Sequence, residues 1–163
     1  MRCNILKLAI LLGALFQVLG VESGETYGVD FGVVVNKANP VEDLSLKEVE
    51  KIFKAEKLFW DHGKKIVLLL PEAGSPEKKV LLGLVYKVSD EELKQFWLTK
   101  IFRNEIPLAP KVLSSNTAVI KFVEKVEGAI GLVRLNGPIE NDVKIIRING
   151  KLPGEPGYEV RLE

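Results

Sequence analysis

The sequence predicts an α/β fold in which helices flank a mainly parallel sheet. Apolar segments of strand length alternate along the chain with segments whose apolar residues recur at helical spacing. The first strand segment contains an unbroken valine run, Val33–Val35, which is typical of a strand buried on both faces, as in a parallel sheet. With 163 residues and no internal repeat, the chain is long enough for one domain with a substantial core.

The composition excludes several classes of protein. Charged residues make up 28% of the chain and hydrophobic residues 47%, which is the balance of a globular domain. This balance argues against a disordered chain and against a protein that crosses a membrane several times. The formal net charge of +1 gives no electrostatic basis for binding nucleic acid.

Residues 1–20 have the pattern of a secretory signal peptide. Arg2 and Lys7 form a basic start, an apolar run follows over Leu8–Leu19, and the small residue Gly20 precedes the expected cleavage point. The alternative is an uncleaved anchor, for which the apolar run is short. Cleavage would remove Cys3, the single cysteine, and would leave no disulfide, thiol nucleophile or cysteine metal ligand. We therefore expect a periplasmic or secreted protein.

The positions of the helices and strands follow from capping signals and apolar periodicity. Ser45 with Glu48, and Ser89 with Glu92, form two capping boxes, and each predicts the start of a helix. Gly128 marks the end of the last helix. Helices are therefore predicted after Ser45, Ser75, Ser89 and Ser114–Asn116, a loop at 37–43, and strands within 28–36, 65–70, 112–113, 129–133, 143–148 and 158–162.

The strand–turn–helix at residues 66–79 is the most informative stretch for function. A buried strand ends at Leu70, a tight turn follows at Ala73–Gly74, and Ser75 with Pro76 opens a helix. Such a helix start directs free backbone N–H groups to a point beyond the sheet, where an anion can bind. The helix start at Ser114–Asn116 is expected to face the same place, at the carboxyl ends of the strands. The predicted anion-binding residues are Gly74, Ser75, Ser114, Ser115 and Asn116; helix capping alone is the alternative explanation.

An ordered set of segments resembles the phosphate-binding proteins of ABC transporters, which are periplasmic binding proteins of type 2. The segments span about residues 31 to 150, and no single one is specific. They are Val33–Asn36, Leu44–Glu48, Ile52–Phe53, Trp60–Gly63, Gly74–Ser75, Phe96–Trp97, Phe102, Pro107 and Gly128–Val133.

The resemblance implies a substrate-binding protein without enzymatic activity, active in phosphate transport or sensing. Full-length members have two lobes that close on the anion, and this chain resembles a single lobe, the second. On this basis we expect a periplasmic-binding-protein-like α/β domain at 27–150 and a C-terminal extension at 151–163 that could add an edge strand. The expected ligand is phosphate or another small oxyanion.

The loop at residues 71–77 departs from the family's pattern. In the family this loop begins with an arginine and ends in Gly-Ser-Gly-Thr, whereas this chain has Pro71 at the arginine position, Pro76 for the second glycine and Glu77 for the threonine. Proline removes a backbone donor, and the carboxylates of Glu72 and Glu77 would repel a phosphate. The sequence therefore predicts weak binding.

An interaction module is the alternative function. A single lobe exposes the face that its partner lobe would cover, so self-association or docking on an envelope sensor or porin is a second hypothesis. Catalytic and metal sites are not expected, because Asp61 and His62 have no further ligands or nucleophile beside them and are explained by a turn. No cofactor is expected either.

Two groups of side chains carry structural expectations. The aromatic residues Phe59, Trp60, Phe96 and Trp97 are expected in the core, rather than stacked on a ligand. Lys78 and Lys79 are expected to be solvated rather than to attract an anion.

Overall fold

The computed structural model describes residues 28–136, 139 and 142–162. The predicted signal peptide and its cleavage point lie outside these residues. Along the described chain the elements are β1 (Val29–Asn36), β2 (Asp43–Leu44), α1 (Leu46–Phe53), β3 (Val67–Pro71), α2 (Pro76–Val80), a π-helical segment (Leu81–Tyr86), α3 (Asp90–Phe102), β4 (Lys111–Leu113), α4 (Asn116–Lys125), β5 (Ala129–Arg134), β6 (Val143–Ile145), β7 (Arg147–Ile148) and β8 (Arg161–Leu162).

The main sheet has the strand order β4-β3-β5-β1-β6, and β8 also pairs with β1. Strand β3 is parallel to both β4 and β5, whereas β1 is antiparallel to β5, β6 and β8. Within the described residues, five of the six strands therefore run in one direction and β1 alone runs in the other. The predicted mainly parallel sheet is confirmed, but the valine run that suggested parallel pairing lies in the one reversed strand.

Helices cover both faces of this sheet. The side chains of Val33 and Val35 point to the face that packs on α1, the π-helical segment and α3. The side chain of Val34 points to the other face, where Val119 and Val123 of α4 cover it. This alternation is the expected one for a strand, and it explains why the whole valine run is buried. The predicted α/β fold class, a sheet flanked by helices, is confirmed.

The predicted helix starts are present. Both capping boxes form: the side chains of Ser45 and Ser89 accept from the backbone N–H groups of Glu48 and Glu92, whose carboxylates bond back. The hydrogen bonds from Ser45 are also the largest cause of the lowered pKa of the Glu48 carboxyl. Among the described residues, no helix is both long and apolar enough to cross a bilayer.

Three predicted elements differ from the observed ones. The loop predicted at 37–43 leads at Asp43 into β2, a two-residue strand that the sequence did not predict. The strand predicted at 143–148 is divided at Ile146, because β6 pairs with β1 whereas β7 leaves that edge and pairs with β2. The helix predicted after Ser75 keeps its apolar face but changes to π-helical winding from Leu81, and it ends where Lys87 adopts the left-handed conformation with φ of 56°.

Two predicted side-chain environments are wrong. Phe59 is 55% exposed, although Trp60 and Trp97 are buried as expected. Lys78 is buried rather than solvated, with its Nζ atom 3.5 Å from Oδ1 of Asp90 at the start of α3. The sequence could not show this contact, since it depends on how α2 and α3 pack.

The C-terminal residues take part in the same core. The backbone N–H of Phe31 in β1 donates to the carbonyl of Val160 over 2.9 Å, and the hydroxyl of Tyr158 donates to the carbonyl of Phe31 over 2.7 Å. The side chains of Tyr158 and Val160 are buried. The division of the chain into a domain and an extension at residue 150 stays a prediction.

Candidate functional site

A pocket of about 350 Å³ opens where β3, β4 and β5 end. These strands are parallel, so their carboxyl ends meet at one edge of the sheet, which is where ligands bind in open α/β folds. We call it the strand-end pocket. Its polar lining residues are Glu72, Ser75, Glu77, Ser114, Ser115, Asn116, Thr117, Arg134 and Asn136, and its apolar ones are Pro71, Leu113, Val119 and Leu132.

The structure brings four of the five predicted anion-binding residues to this pocket: Ser75, Ser114, Ser115 and Asn116. Gly74 is not among the lining residues. Its φ of +80° is a conformation that favours glycine, and it makes the turn between β3 and α2. Anion binding by these residues stays a prediction. The hydrogen bonds that each residue already makes within the protein decide which groups are free for a ligand.

The hydroxyl of Ser75 is engaged on both sides. It accepts from the backbone N–H of Lys78 over 3.1 Å, as an N-cap does, and it donates to the carbonyl of Glu72 over 2.9 Å. Pro76 has no N–H, so α2 offers the backbone N–H of Glu77 as its remaining free donor within the described residues. This side of the pocket therefore offers a ligand few free hydrogen-bond donors.

The start of α4 offers more donors. The hydroxyl of Ser115 accepts from Ala118 N–H over 3.2 Å, whereas the N–H groups of Asn116 and Thr117 have no hydrogen bond to a described residue. Because α4 is ten residues long, its N-terminus carries the partial positive charge of the helix dipole. The hydroxyls of Ser114 and Thr117 also make no hydrogen bond within the described chain and remain able to donate.

The side-chain amide of Asn116 holds the end of β5. Its nitrogen donates to the carbonyl of Arg134 over 2.7 Å, and its oxygen accepts from the Arg134 N–H over 3.2 Å. Leu135, the next residue, donates its own N–H towards Asp30 in β1, so the peptide groups of Arg134 face the opposite edge. Asn116 thus takes the place of a neighbouring strand and fixes Arg134 at the pocket.

Arg134 is the most important pocket residue that sequence reasoning missed. It lines the pocket from the last position of β5, and its side chain is exposed. Guanidinium groups bind phosphate and carboxylate through two parallel hydrogen bonds. The available signal was its place directly after the apolar run at 129–133, at the carboxyl end of a strand.

The pocket also carries negative charge. Glu72 follows β3 and Glu77 lies in the first turn of α2, and both line the pocket with Arg134. Within the described residues, none of these three side chains has an oppositely charged partner within 4.0 Å. Among the described residues, the pocket therefore presents charges of both signs that have no ion-pair partner.

Groups that would indicate catalysis or metal binding lie elsewhere. Asp61 forms an ion pair with Lys57 at 2.7 Å, and that hydrogen bond is the main cause of the lowered pKa of the Asp61 carboxyl. His62 is exposed in the neighbouring turn. Over residues 28–136, 139 and 142–162, no cluster of three or more His, Cys, Asp or Glu side chains could hold a metal ion.

Comparisons with known proteins identify the fold. No family model matches the sequence, and neither does any curated protein. Solved structures do match. A protein of Clostridium perfringens described as a phosphate ABC transporter substrate-binding protein, solved with bound phosphate, superposes with a TM-score of 0.59 at 19% identity. The chain has the fold of phosphate ABC transporter substrate-binding proteins.

Two further substrate-binding proteins of this fold agree. An ABC-type phosphate transport receptor from Vibrio cholerae gives a TM-score of 0.58 at 20% identity, and PstS from Borrelia burgdorferi gives 0.65 at 17%. The matches cover 75%, 76% and 82% of this chain but only 46%, 48% and 54% of the substrate-binding proteins. The chain thus spans about half their length, as expected for a single lobe, and the resemblance predicted from the sequence is confirmed at the level of the fold.

Proposed function

We propose that the protein is a solute-binding protein that takes phosphate or another small oxyanion in the strand-end pocket. The observation that carries the proposal is that Arg134 lines the same pocket as the start of α4, whose first N–H groups are free within the described residues. Proteins with the same fold are described as phosphate-binding, which supports this ligand class. The predicted signal peptide suggests that it acts in the periplasm or outside the cell, in phosphate transport or sensing.

The proposed affinity is weak. The turn at the end of β3 has lost donors, because Ser75 is engaged in capping and Pro76 lacks an N–H. In addition, Glu72 and Glu77 place negative charge on the pocket. We therefore expect dissociation constants near the millimolar range, equivalent to about −4 kcal/mol of binding free energy.

Titration calorimetry with phosphate and with sulfate tests the proposal. Arg134→Gln should weaken binding by roughly 10- to 100-fold, since one hydrogen bond to a charged group contributes about 1.5–3 kcal/mol. Arg103→Gln is the matched control, because Arg103 is an exposed arginine at the end of α3 outside the pocket. An absence of heat at millimolar anion, or equal losses in the two variants, would refute the proposal.

The interaction module is the proposal of a different class, and exposed apolar side chains favour it. Phe102 at the end of α3 is 84% exposed and Leu108 in the following connection is 79% exposed. Exposed apolar groups of this size mark surfaces that another chain covers when they are contiguous. Light scattering should then show self-association that Phe102→Ser together with Leu108→Ser abolishes. A strict monomer that captures no sensor or porin from an envelope extract would count against it.

A further inference from the structure

The charges on the strand-end pocket do not match a simple anion. Arg134 contributes one positive group, whereas Glu72 and Glu77 contribute two negative groups. Within the part of the chain that the structure describes, none of the three is neutralised by an ion pair. A ligand with only negative charge would be attracted by Arg134 and repelled by both carboxylates.

The size of the pocket also exceeds what inorganic phosphate needs. Its volume of about 350 Å³ lies in the range of sites that take small organic molecules, about 300–1,000 Å³. A single phosphate or sulfate ion would leave most of that space to water. The apolar lining from Leu113, Val119 and Leu132 offers contact to a carbon chain.

The charged residues of the pocket come from three different elements. Arg134 ends β5, whereas Glu72 follows β3 and Glu77 belongs to α2, so both carboxylates come from one strand–turn–helix and the guanidinium comes from the neighbouring strand. These charges, which have no partner among the described residues, are well suited to pair with charges on the ligand, because a charge-assisted hydrogen bond is about twice as strong as a neutral one.

We propose that the ligand of the strand-end pocket is zwitterionic, with an anionic head group on Arg134 and an ammonium group against Glu72 and Glu77. This inference rests on the proposed function for the anionic head group and adds the positive group and the short carbon chain between them. The head group can be a phosphate ester or a carboxylate, since a guanidinium binds both in the same geometry.

Matched pairs of probes test the inference by titration calorimetry on the purified protein. Phosphoethanolamine and ethyl phosphate share a phosphate head and differ in the ammonium group. The pair β-alanine and propionate makes the same comparison with a carboxylate head. We expect each zwitterion to bind at least about 10-fold more tightly than its partner, and the tighter of the two zwitterions identifies the head group.

The double variant Glu72→Gln with Glu77→Gln should remove that preference and bind inorganic phosphate about 10-fold more tightly than the unmodified protein. Glu56→Gln with Glu91→Gln is the control, since it removes two negative charges from exposed positions outside the pocket. Circular dichroism verifies that each variant is folded. Arg134→Gln should weaken the zwitterion and the simple anion alike.

The outcomes separate this inference from the proposed function. If phosphate binds in an Arg134-dependent way but the zwitterions have no advantage, the oxyanion proposal stands and the zwitterion is refuted. The zwitterion is also refuted, and the oxyanion proposal again stands, if the preference survives in the Glu72 and Glu77 double variant. If no probe binds, both fall.

Discussion

Replacing Gly128 by alanine should destabilise the protein strongly, because backbone and not a flexible side chain occupies the space that a Cβ needs. A Cβ built on Gly128 would lie 2.1 Å from the carbonyl oxygen of Lys65. The carbonyl of Gly128 also accepts two hydrogen bonds, from the N–H of Val67 at 3.0 Å and from the indole Nε1 of the buried Trp60 at 3.0 Å. Any shift that relieves the clash therefore strains the start of β3 and the Trp60 contact together.

The expected loss can be estimated from these contacts. Overpacking costs about 1–3 kcal/mol, and weakening one buried hydrogen bond adds about 1 kcal/mol. A total of about 3 kcal/mol corresponds to a decrease in Tm of roughly 12 °C at about 4 °C per kcal/mol for a domain of this size. Thermal unfolding followed by circular dichroism measures the change, and Trp60 fluorescence reports the local disturbance.

Gly83 provides the matched control for this experiment. It lies in the π-helical segment with no atom within 4 Å of a built Cβ, so Gly83→Ala should leave Tm unchanged or raise it slightly. If Gly128→Ala unfolds at the same temperature as the unmodified protein, the close approach of Lys65 and Gly128 is refuted.

Three further predictions concern other parts of the fold. Asn116→Ala should lower the free energy of unfolding by about 1–2 kcal/mol and also weaken phosphate binding, since it removes both bonds that hold the Arg134 backbone; denaturant titration and calorimetry measure the two effects. Burial raises the pKa of the Tyr86 and Tyr158 hydroxyls above the ordinary tyrosine value of 10. Their contribution to the free energy of unfolding is therefore fully present below pH 10, the pKa in the unfolded chain. Above pH 10 it decreases by up to about 1.4 kcal/mol per pH unit for each tyrosine. Urea midpoints measured between pH 9 and 12 should show this fall, and Tyr86→Phe should make it shallower. Ser45→Ala should destabilise by about 1 kcal/mol in the same urea assay through loss of the capping box.

Local signals in the sequence were sufficient for the helix starts. The capping boxes at Ser45 and Ser89 need only residues three positions apart, so they can be recognised without knowledge of any tertiary contact. The short strand predicted at Val112 was found for a similar reason, because prolines limit the segment before it. The fold class followed from the alternation of these elements.

Features that depend on distant partners could not be found in this way. The apolar pattern of β1 shows that the strand is buried, but it holds no information on the direction of its neighbours. Lys78 became buried through Asp90, which lies on the next long helix. Ile146 lies between β6 and β7, because its N–H donates to Val33 of β1 whereas the N–H of Arg147 donates to Glu42, next to β2.

In the strand-end pocket, too, some residues could be predicted from local signals and others depend on distant partners. The serines and Asn116 were predicted from the helix starts, whereas Arg134 entered because β5 ends beside β3 and α4. A single arginine after an apolar run is not distinctive in one sequence. The direction of β5 and the hydrogen bonds of Asn116 position Arg134 at the pocket.

The pairing of β8 with β1 affects the order in which the protein can be completed. Phe31 is among the first residues of the described chain. The hydrogen-bond partners of its backbone N–H and carbonyl are Val160 and Tyr158, which the ribosome adds about 130 residues later. Until then two polar backbone groups in the centre of the protein have no partner, and leaving such groups unpaired away from water is costly. These two hydrogen bonds in the core therefore form only when synthesis is nearly finished.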